Sequence, residues 1–319
     1  MLSVLILFSL LFLIGDSFSG ATIKKNKEPE FNYAPAYKQG SPELEISALS
    51  YLGAYLGKDD QMLILAEKNS EDLLPMASIT KLMTAIVAYK NYDLEEKITM
   101  GPKVNDWPDS SRKFIPGTSF KISELFRALL IESNNDAAMA LADKMGLDNF
   151  VAGMNEEARG LGIITTYYDN PVGIDPTSKK EIINYSTAKE LLILAQEIIN
   201  NYPEILEITS LSQYDIKTAS GGYNHTAVNT DKFLSDEDEN KKLLCQGEPL
   251  EIMGGKTGST DLSKKNLLLV TETPNKIGYL ITIILSADDN FKETSKLINW
   301  LCDSYNWPKL TEEFLTFKK

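Results

Sequence analysis

Strand-like segments lie at both ends of this chain with helical patterning between them, and that arrangement limits the fold more than any other feature of the sequence. Near the start, Ala48 to Leu56 and Gln61 to Glu67 flank Gly57-Lys58-Asp59-Asp60, the make-up of a hairpin. Near the end, Glu251–Thr257, Asn266–Glu272 and Ile277–Ser286 read as strands, the last two joined around Pro274-Asn275. A closing helix over about Phe291–Tyr305 carries Leu297, Ile298, Trp300 and Leu301. Between the strand groups, apolar spacing predicts helices at Ile122–Ile131, Asn135–Met145, Asp148–Leu161 and Thr187–Asn200. Tyr168 to Ser178, with Pro171, Gly173 and Pro176, reads as a loop, as does the charged stretch Ser235 to Lys242. Strands from both termini with helices inserted between them predict an α+β domain around an antiparallel sheet, over residues 46–305, with a mostly helical subdomain at about 95–236.

With 319 residues, 43% of them hydrophobic, the chain can bury one sizeable core. Its net charge of -13 leaves no basic stripe to neutralise phosphates, which argues against a nucleic-acid partner. Leu2 to Gly15 is an apolar run too short for a bilayer span of about 20 residues, and it is followed by small residues at Ser17, Ser19, Gly20 and Ala21. Residues 1–21 therefore read as a cleaved secretory signal or a retained short anchor, which makes the chain extracytoplasmic and allows a membrane tether through residues 2–15. Residues 22–45, rich in Lys, Glu, Asn, Pro and Gly, read as a polar tether, and 306–319 as a tail. Cys245 and Cys302 have no zinc-ligand spacing; in an exported chain they form a disulfide or remain two bystander thiols. The one histidine, His225, is read as structural rather than as a catalytic base.

Ser78-Ile79-Thr80-Lys81 has the S-x-x-K form, which also occurs at Ser110/Lys113 and Ser186/Lys189. Context separates the three. Ser78 opens a segment with Ile79, Leu82, Met83, Ile86 and Val87 at helical spacing, so Lys81 lies one turn away on the same face. The apolar surroundings would desolvate the Lys81 amine and lower its pKa toward that of a usable base. Ser110/Lys113 lies in a loop, and Ser186/Lys189 begins a helix capped by Thr187 and Glu190. The plain alternative for Ser78 is also a helix cap. Ser133-Asn134-Asn135 between two helices reads either as a capped turn or as a hydroxyl and an amide placed in a cleft. Gly254-Gly255-Lys256-Thr257-Gly258-Ser259-Thr260 offers a cation, hydroxyls and a glycine that lets a ligand backbone lie close to a strand. It is not a phosphate loop, because the first glycine of that motif would fall on Leu250 and no helix pattern follows. Nothing in the set calls for a metal or cofactor.

The three elements, in this order, resemble the motif set of penicillin-binding proteins and serine β-lactamases. The similarity is closest to D-alanyl-D-alanine carboxypeptidases and runs over about Ile46 to Tyr305. Pro75-Met76-Ala77-Ser78-Ile79-Thr80-Lys81-Leu82-Met83-Thr84-Ala85 resembles their nucleophile segment, Leu129 to Ala138 their second motif, and Asn170-Pro171-Val172-Gly173-Ile174-Asp175 their central loop. The resemblance implies a β-lactamase/transpeptidase-like fold and a serine acyl-enzyme mechanism on the D-Ala-D-Ala end of peptidoglycan stem peptides. Ser78 would be the nucleophile, Lys81 its base and Ser133 the relay to the leaving amine. Asn135 would hold Lys81 and the substrate amide, Lys256 would be a fixed cation that keeps Lys81 neutral, and Thr257, Gly258 and Ser259 would bind substrate. β-Lactams would acylate Ser78. Two departures stand out. Asn134 replaces the usual glycine of the second motif and is expected to point away, and no arginine follows Arg159 to grip a terminal carboxylate. The other readings are a DD-endopeptidase, a β-lactamase (for which Glu181 is the one nearby candidate base) or a non-catalytic β-lactam- or wall-binding module.

Overall fold

The computed structural model describes residues 34–106, 110–175, 183–235 and 243–308. The chain enters a central sheet through β1 (Ser50–Gly57) and β2 (Met62–Lys68), the predicted hairpin. It passes a short 3-10 turn into α1 (Lys81–Asn91) and then runs through α2 (Ile122–Ile131), α3 (Asn135–Met145) and α4 (Leu147–Gly160). Next come α5 (Ala188–Asn201), α6 (Pro203–Thr209) and a hairpin of β3 (Gln213–Lys217) and β4 (Tyr223–Val228). Finally β5 (Ile252–Thr260), β6 (Lys264–Glu272) and β7 (Gly278–Ala287) return to the sheet, and α7 (Asn290–Ser304) closes the domain.

The sheet order is β5-β6-β7-β1-β2, antiparallel throughout, so the two ends of the chain meet where β7 pairs with β1. Both faces are buried. Leu267, Leu269, Leu280 and Ile284 pack under Leu297, Ile298 and Leu301 of α7. Leu268, Val270, Ile281 and Ile283 join a second core with Ile79, Leu82, Met83 and Ile86. Because side chains alternate across a sheet, a strand covered on both sides reads as an unbroken apolar run, as Leu267-Leu268-Leu269-Val270 does. α7 lies so close to β1 that a Cβ on Gly53 would sit 2.8 Å from Leu301 Cδ1.

The structure adds two elements and corrects one expectation. The inserted subdomain contains the β3–β4 hairpin, whose alternation escapes notice because Ile216 is the one fully buried residue of a strand otherwise made of Gln, Tyr, Asp and Lys. Helix α6 restarts at Pro203 immediately after α5, with proline at its first position. The tether expected to reach residue 45 is shorter, because Ala36–Tyr37 pairs with Tyr305–Asn306 and Trp300 Nε1 donates to Pro42 O at 2.7 Å. Aromatic packing fastens this stretch: the Tyr37 ring lies 5.4 Å from Tyr305 and 6.3 Å from Trp300. Residues 1–33, and with them the expected signal or anchor at 1–21, lie outside the described residues, as does Glu181. Among the described residues no helix is long and apolar enough to cross a membrane.

Candidate active site

The nucleophile segment differs from expectation in one respect. Ser78 stands in a 3-10 turn, Ala77–Thr80, and the α-helix proper begins at Lys81. A 3-10 turn has three residues per turn, so side chains at i and i+3 stand directly above one another. The Lys81 ammonium or amine accordingly lies 2.8 Å from Ser78 Oγ and 3.0 Å from Val172 O, while its side chain is wholly buried. Ala77 adopts φ 50°, a left-handed conformation held by the packing around it. Of the three S-x-x-K pairs, only this one brings its two side chains together. Ser110 bonds Asp136, Lys113 pairs with Glu132, Ser186 meets Thr166, and Lys189 reaches Glu71 at the surface.

The central loop locks this turn from behind. Asn184 Oδ1 accepts from the backbone N–H groups of Asp169 and Asn170, and its Nδ2 donates to Thr80 Oγ1 and Asn170 O. Thr84 donates to Pro171 O at 2.7 Å, and Gly173 has φ 82° with no room for a side chain: a Cβ there would fall 2.0 Å from Ala77 O. Thr187 caps α5 as expected, but Glu190 does not fold back to complete a capping box. It accepts instead from Ile164 N, Thr165 N and Thr166 Oγ1.

Ser133 lies between α2 and α3 with φ 61°. Asn134 is the cap of α3, accepting from Ala137 N, and its amide donates to Ser111 Oγ and Glu132 Oε1, away from Ser78. Asn135 is the first residue of α3 and is buried. The third motif is on β5, an edge strand of the sheet. Gly258 allows that strand to lie against the nucleophile turn, since a Cβ would be 2.7 Å from Met76 O and 3.1 Å from Ser78 N.

A cleft of about 360 Å³ is lined by Ser78, Ser133, Thr257, Gly258 and Ser259 from the three motifs. Thr230, Lys232, Lys265, Asp289, Asn290 and Phe291 complete it. None of this second group carries a motif signal; they reach the cleft by tertiary approach of the loop after β4, of β6 and of the start of α7. A larger groove of about 600 Å³, between Met100–Asp106 and α3, contains none of the predicted site residues.

Lys81, Asn135 and Lys256 stand behind the cleft surface. Lys256 is 1% exposed, with Nζ donating to Thr257 O at 3.0 Å. Burial pushes its pKa down to about 7, against the pull of the Asp231 carboxylate. A lysine removed from water disfavours its charged state, which works against the fixed cation expected at this position. Burial likewise pushes Asp231 up to about 6, with the Phe233 N–H and Lys256 opposing. Among the described residues no cluster of side chains could hold a metal ion.

A five-stranded antiparallel sheet with a helical insert, and a serine–lysine turn pressed against the sheet's edge strand, define a penicillin-binding, transpeptidase-like architecture. The model of the D-alanyl-D-alanine carboxypeptidase family (peptidase S11) matches residues 41–289, and the chain belongs to that family. It is 27% identical over 251 residues to D-alanyl-D-alanine carboxypeptidase DacA of Haemophilus influenzae, covering 74% of this chain and 58% of the relative. It is 27% identical over 255 residues to DacC of Escherichia coli, covering 74% and 57%. The chain thus matches less than two thirds of the length of these relatives. Among solved structures, a penicillin-binding protein homologue from Mycobacterium tuberculosis superposes with TM-score 0.70 at 23% identity, over 86% of this chain and 99% of that one. Penicillin-binding protein D2 of Listeria monocytogenes, in a cefotaxime-bound form, superposes with TM-score 0.66 at 26% identity, over 82% and 99%.

Proposed function

We propose that the chain is a serine-type D-alanyl-D-alanine carboxypeptidase that removes the terminal D-alanine from peptidoglycan stem peptides outside the cytoplasm. The observation that carries the reading is the 2.8 Å contact between Lys81 Nζ and Ser78 Oγ, made by a lysine with no solvent exposure behind a cleft that Ser78 lines together with residues of the other two motifs. Lys81 in its neutral form takes the proton of Ser78, whose oxygen attacks the carbonyl of the penultimate D-alanine. The backbone N–H groups of Ser78 and Ser259 receive the oxyanion. Ser133 passes a proton to the departing amine, with Asn135 and Lys256 supporting the transfer, and Thr257 and Gly258 hold the substrate along the edge strand. Water then hydrolyses the acyl-enzyme.

β-Lactams acylate Ser78 by the same route, and the cefotaxime-bound Listeria protein of similar fold supports that part of the reading. Location outside the cytoplasm, with release or a membrane tether decided by residues 2–15, rests on the apolar run of the sequence. The test is to incubate the chain lacking residues 1–21 with a pentapeptide ending in D-Ala-D-Ala and to measure free D-alanine. Release by the wild type and none by Ser78→Ala is expected; no release by the wild type refutes the reaction, and undiminished release by the variant refutes the nucleophile.

A further inference from the structure

The residue before Ser133 is held by a set of bonds that the acyl-transfer scheme does not use. Glu132 closes α2, and its carboxylate is nearly buried, with a side-chain exposure of 7%. One oxygen, Oε1, accepts from His225 Nε2 at 2.8 Å and from Asn134 Nδ2 at 2.7 Å. The other, Oε2, accepts from Lys113 Nζ. Burial alone would push this carboxyl up, but the hydrogen bonds from His225, Lys113 and Asn134 outweigh it and hold the group below the ordinary glutamate value.

The three donors come from three separate parts of the chain: His225 from β4, Lys113 from the loop ahead of α2, and Asn134 from the cap of α3. His225 is itself fixed, through Nδ1 to Asn224 Oδ1 at 2.6 Å and by an edge-on contact with Phe114, whose centroid lies 5.7 Å away. The end of β4 is tied to the same corner by Thr230 N, which donates to Ile131 O at 3.2 Å. Between Glu132 and Asn134, both so held, Ser133 takes the left-handed conformation that a non-glycine residue adopts only when its surroundings impose it.

We propose that His225 and Lys113, acting through the Glu132 carboxylate, are positioning residues for Ser133, holding its backbone in the left-handed turn that delivers its hydroxyl into the cleft. The proposal rests on the acyl-transfer reading for what Ser133 does there. The chain's single histidine is then neither a catalytic base nor a passive surface residue. It sets the geometry of a proton relay from outside the cleft, since it is absent from the cleft lining. Loss of the clamp should slow the acylation step more than it weakens initial substrate binding, because Gly258 and Ser259 on β5 and Phe291 on α7 lie outside the bonds around Glu132.

The test is the rate of acylation by a fluorescent penicillin, separated into its saturation constant and its limiting rate, with thermal melting recorded for every variant. His225→Phe keeps the packing on Phe114 but removes the donor to Glu132. It should lower the limiting rate by about tenfold, the scale of one hydrogen bond to a buried charge, with a smaller effect on the saturation constant. His225→Gln, whose amide donates toward the same oxygen, should recover to within about threefold of wild type. Lys113→Met should show a smaller loss of the same kind, and it reads the clamp should His225→Phe fail to fold. A limiting rate at the wild-type level in His225→Phe or Lys113→Met, whatever the melting temperature does, overturns the proposal. So does a His225→Gln variant as slow as His225→Phe. A wild type that penicillin acylates but that releases no D-alanine from the pentapeptide defeats the carboxypeptidase reading and leaves the clamp to be judged on the acylation rates. A wild type that is not acylated at all overturns both.

Discussion

Removing the Cys245–Cys302 cross-link tests how the far wall of the cleft is held. The disulfide joins the small hairpin Leu244–Cys245/Glu248–Pro249 to α7, the helix whose first residues, Asn290 and Phe291, line the cleft. The two half-cystines are buried, and Gln246 Nε2 adds a bond to Cys302 O at 3.0 Å. They lie 57 residues apart in sequence. Closing a loop of that length removes entropy from the unfolded chain worth about 4 kcal/mol at 25 °C. For a domain of this size that corresponds to a melting temperature lower by about 10 °C once the link is gone. The packing of Leu297, Ile298 and Leu301 on the sheet does not depend on the disulfide, so the chain should still fold without it. The Cys245→Ala/Cys302→Ala double variant and the oxidised wild type are to be compared by urea unfolding and by thermal melting. An unfolding free energy within about 1 kcal/mol of wild type would refute the reasoning, since it falls below the usual range for such links. Titration of two free thiols in the air-oxidised native chain would refute the pairing itself.

Gly258→Ala would set a methyl 2.7 Å from Met76 O and 3.1 Å from Ser78 N, forcing β5 and the nucleophile turn apart. Penicillin acylation should fall by about a hundredfold or more for a stability loss of about 1–3 kcal/mol, and a wild-type acylation rate would contradict the close approach. Asn184→Ala leaves the Asp169 and Asn170 N–H groups without their acceptor and should cost about 3 kcal/mol in chemical denaturation, with slower acylation as the central loop loosens. Asp231→Asn removes the charge that opposes the burial of the Lys256 ammonium, so the pKa of about 7 should fall further. An alkaline limb of the acylation pH profile that belongs to Lys256 should then move to lower pH, and an unmoved limb would exclude that assignment. The stability sign follows from the same shift. Unfolded Lys256 binds a proton that the folded residue has shed, so its contribution to stability rises with pH between about 7 and 10.5. Asp231, raised to about 6, does the reverse between about 3.8 and 6, so pH-dependent unfolding of the variant should lack the Asp231 slope while the Lys256 slope extends to lower pH.

Much of the framework is legible in the sequence where one pattern dominates a segment. The spacing predicts α2 and α3 over Ile122–Ile131 and Asn135–Met145, and the helices occupy those residues, because dense apolar periodicity leaves no competing structure. The three central strands β6, β7 and β1 are legible for the same reason, being buried on both faces. The β3–β4 hairpin is not, since it buries too few side chains for its alternation to rise above the background. The near side of the cleft is readable because its residues sit in short motifs whose chemistry depends on local spacing. The far side is not, because Thr230, Lys232, Lys265 and Phe291 are ordinary residues until the fold brings them together. The charge on Lys256 is a further case: the sequence names the amine, while its protonation depends on burial that only the assembled sheet creates.

The order of the motifs along the chain follows from the topology. Because β7 pairs with β1, the N-terminal hairpin and the C-terminal strands share one sheet; β2 and β5 are its opposite edges, and the chain after β2 runs across to set the Ala77–Thr80 turn against β5. Two segments remote in sequence thereby come into van der Waals contact at Gly258, where any side chain would hold them apart. The second motif has no place in that sheet and must come from the insert, so it hangs on a turn between α2 and α3 that needs its own support. Each wall of the cleft is held by a different device: the nucleophile turn by the Asn184-centred loop, the third motif by strand pairing with β6, and Ser133 by side-chain bonds around Glu132. Strand pairing is made of backbone and tolerates side-chain change, whereas the other two depend on single carboxylates and amides. Substitutions outside the cleft should therefore damage the reaction most at Asn184 and Glu132, and least along β6.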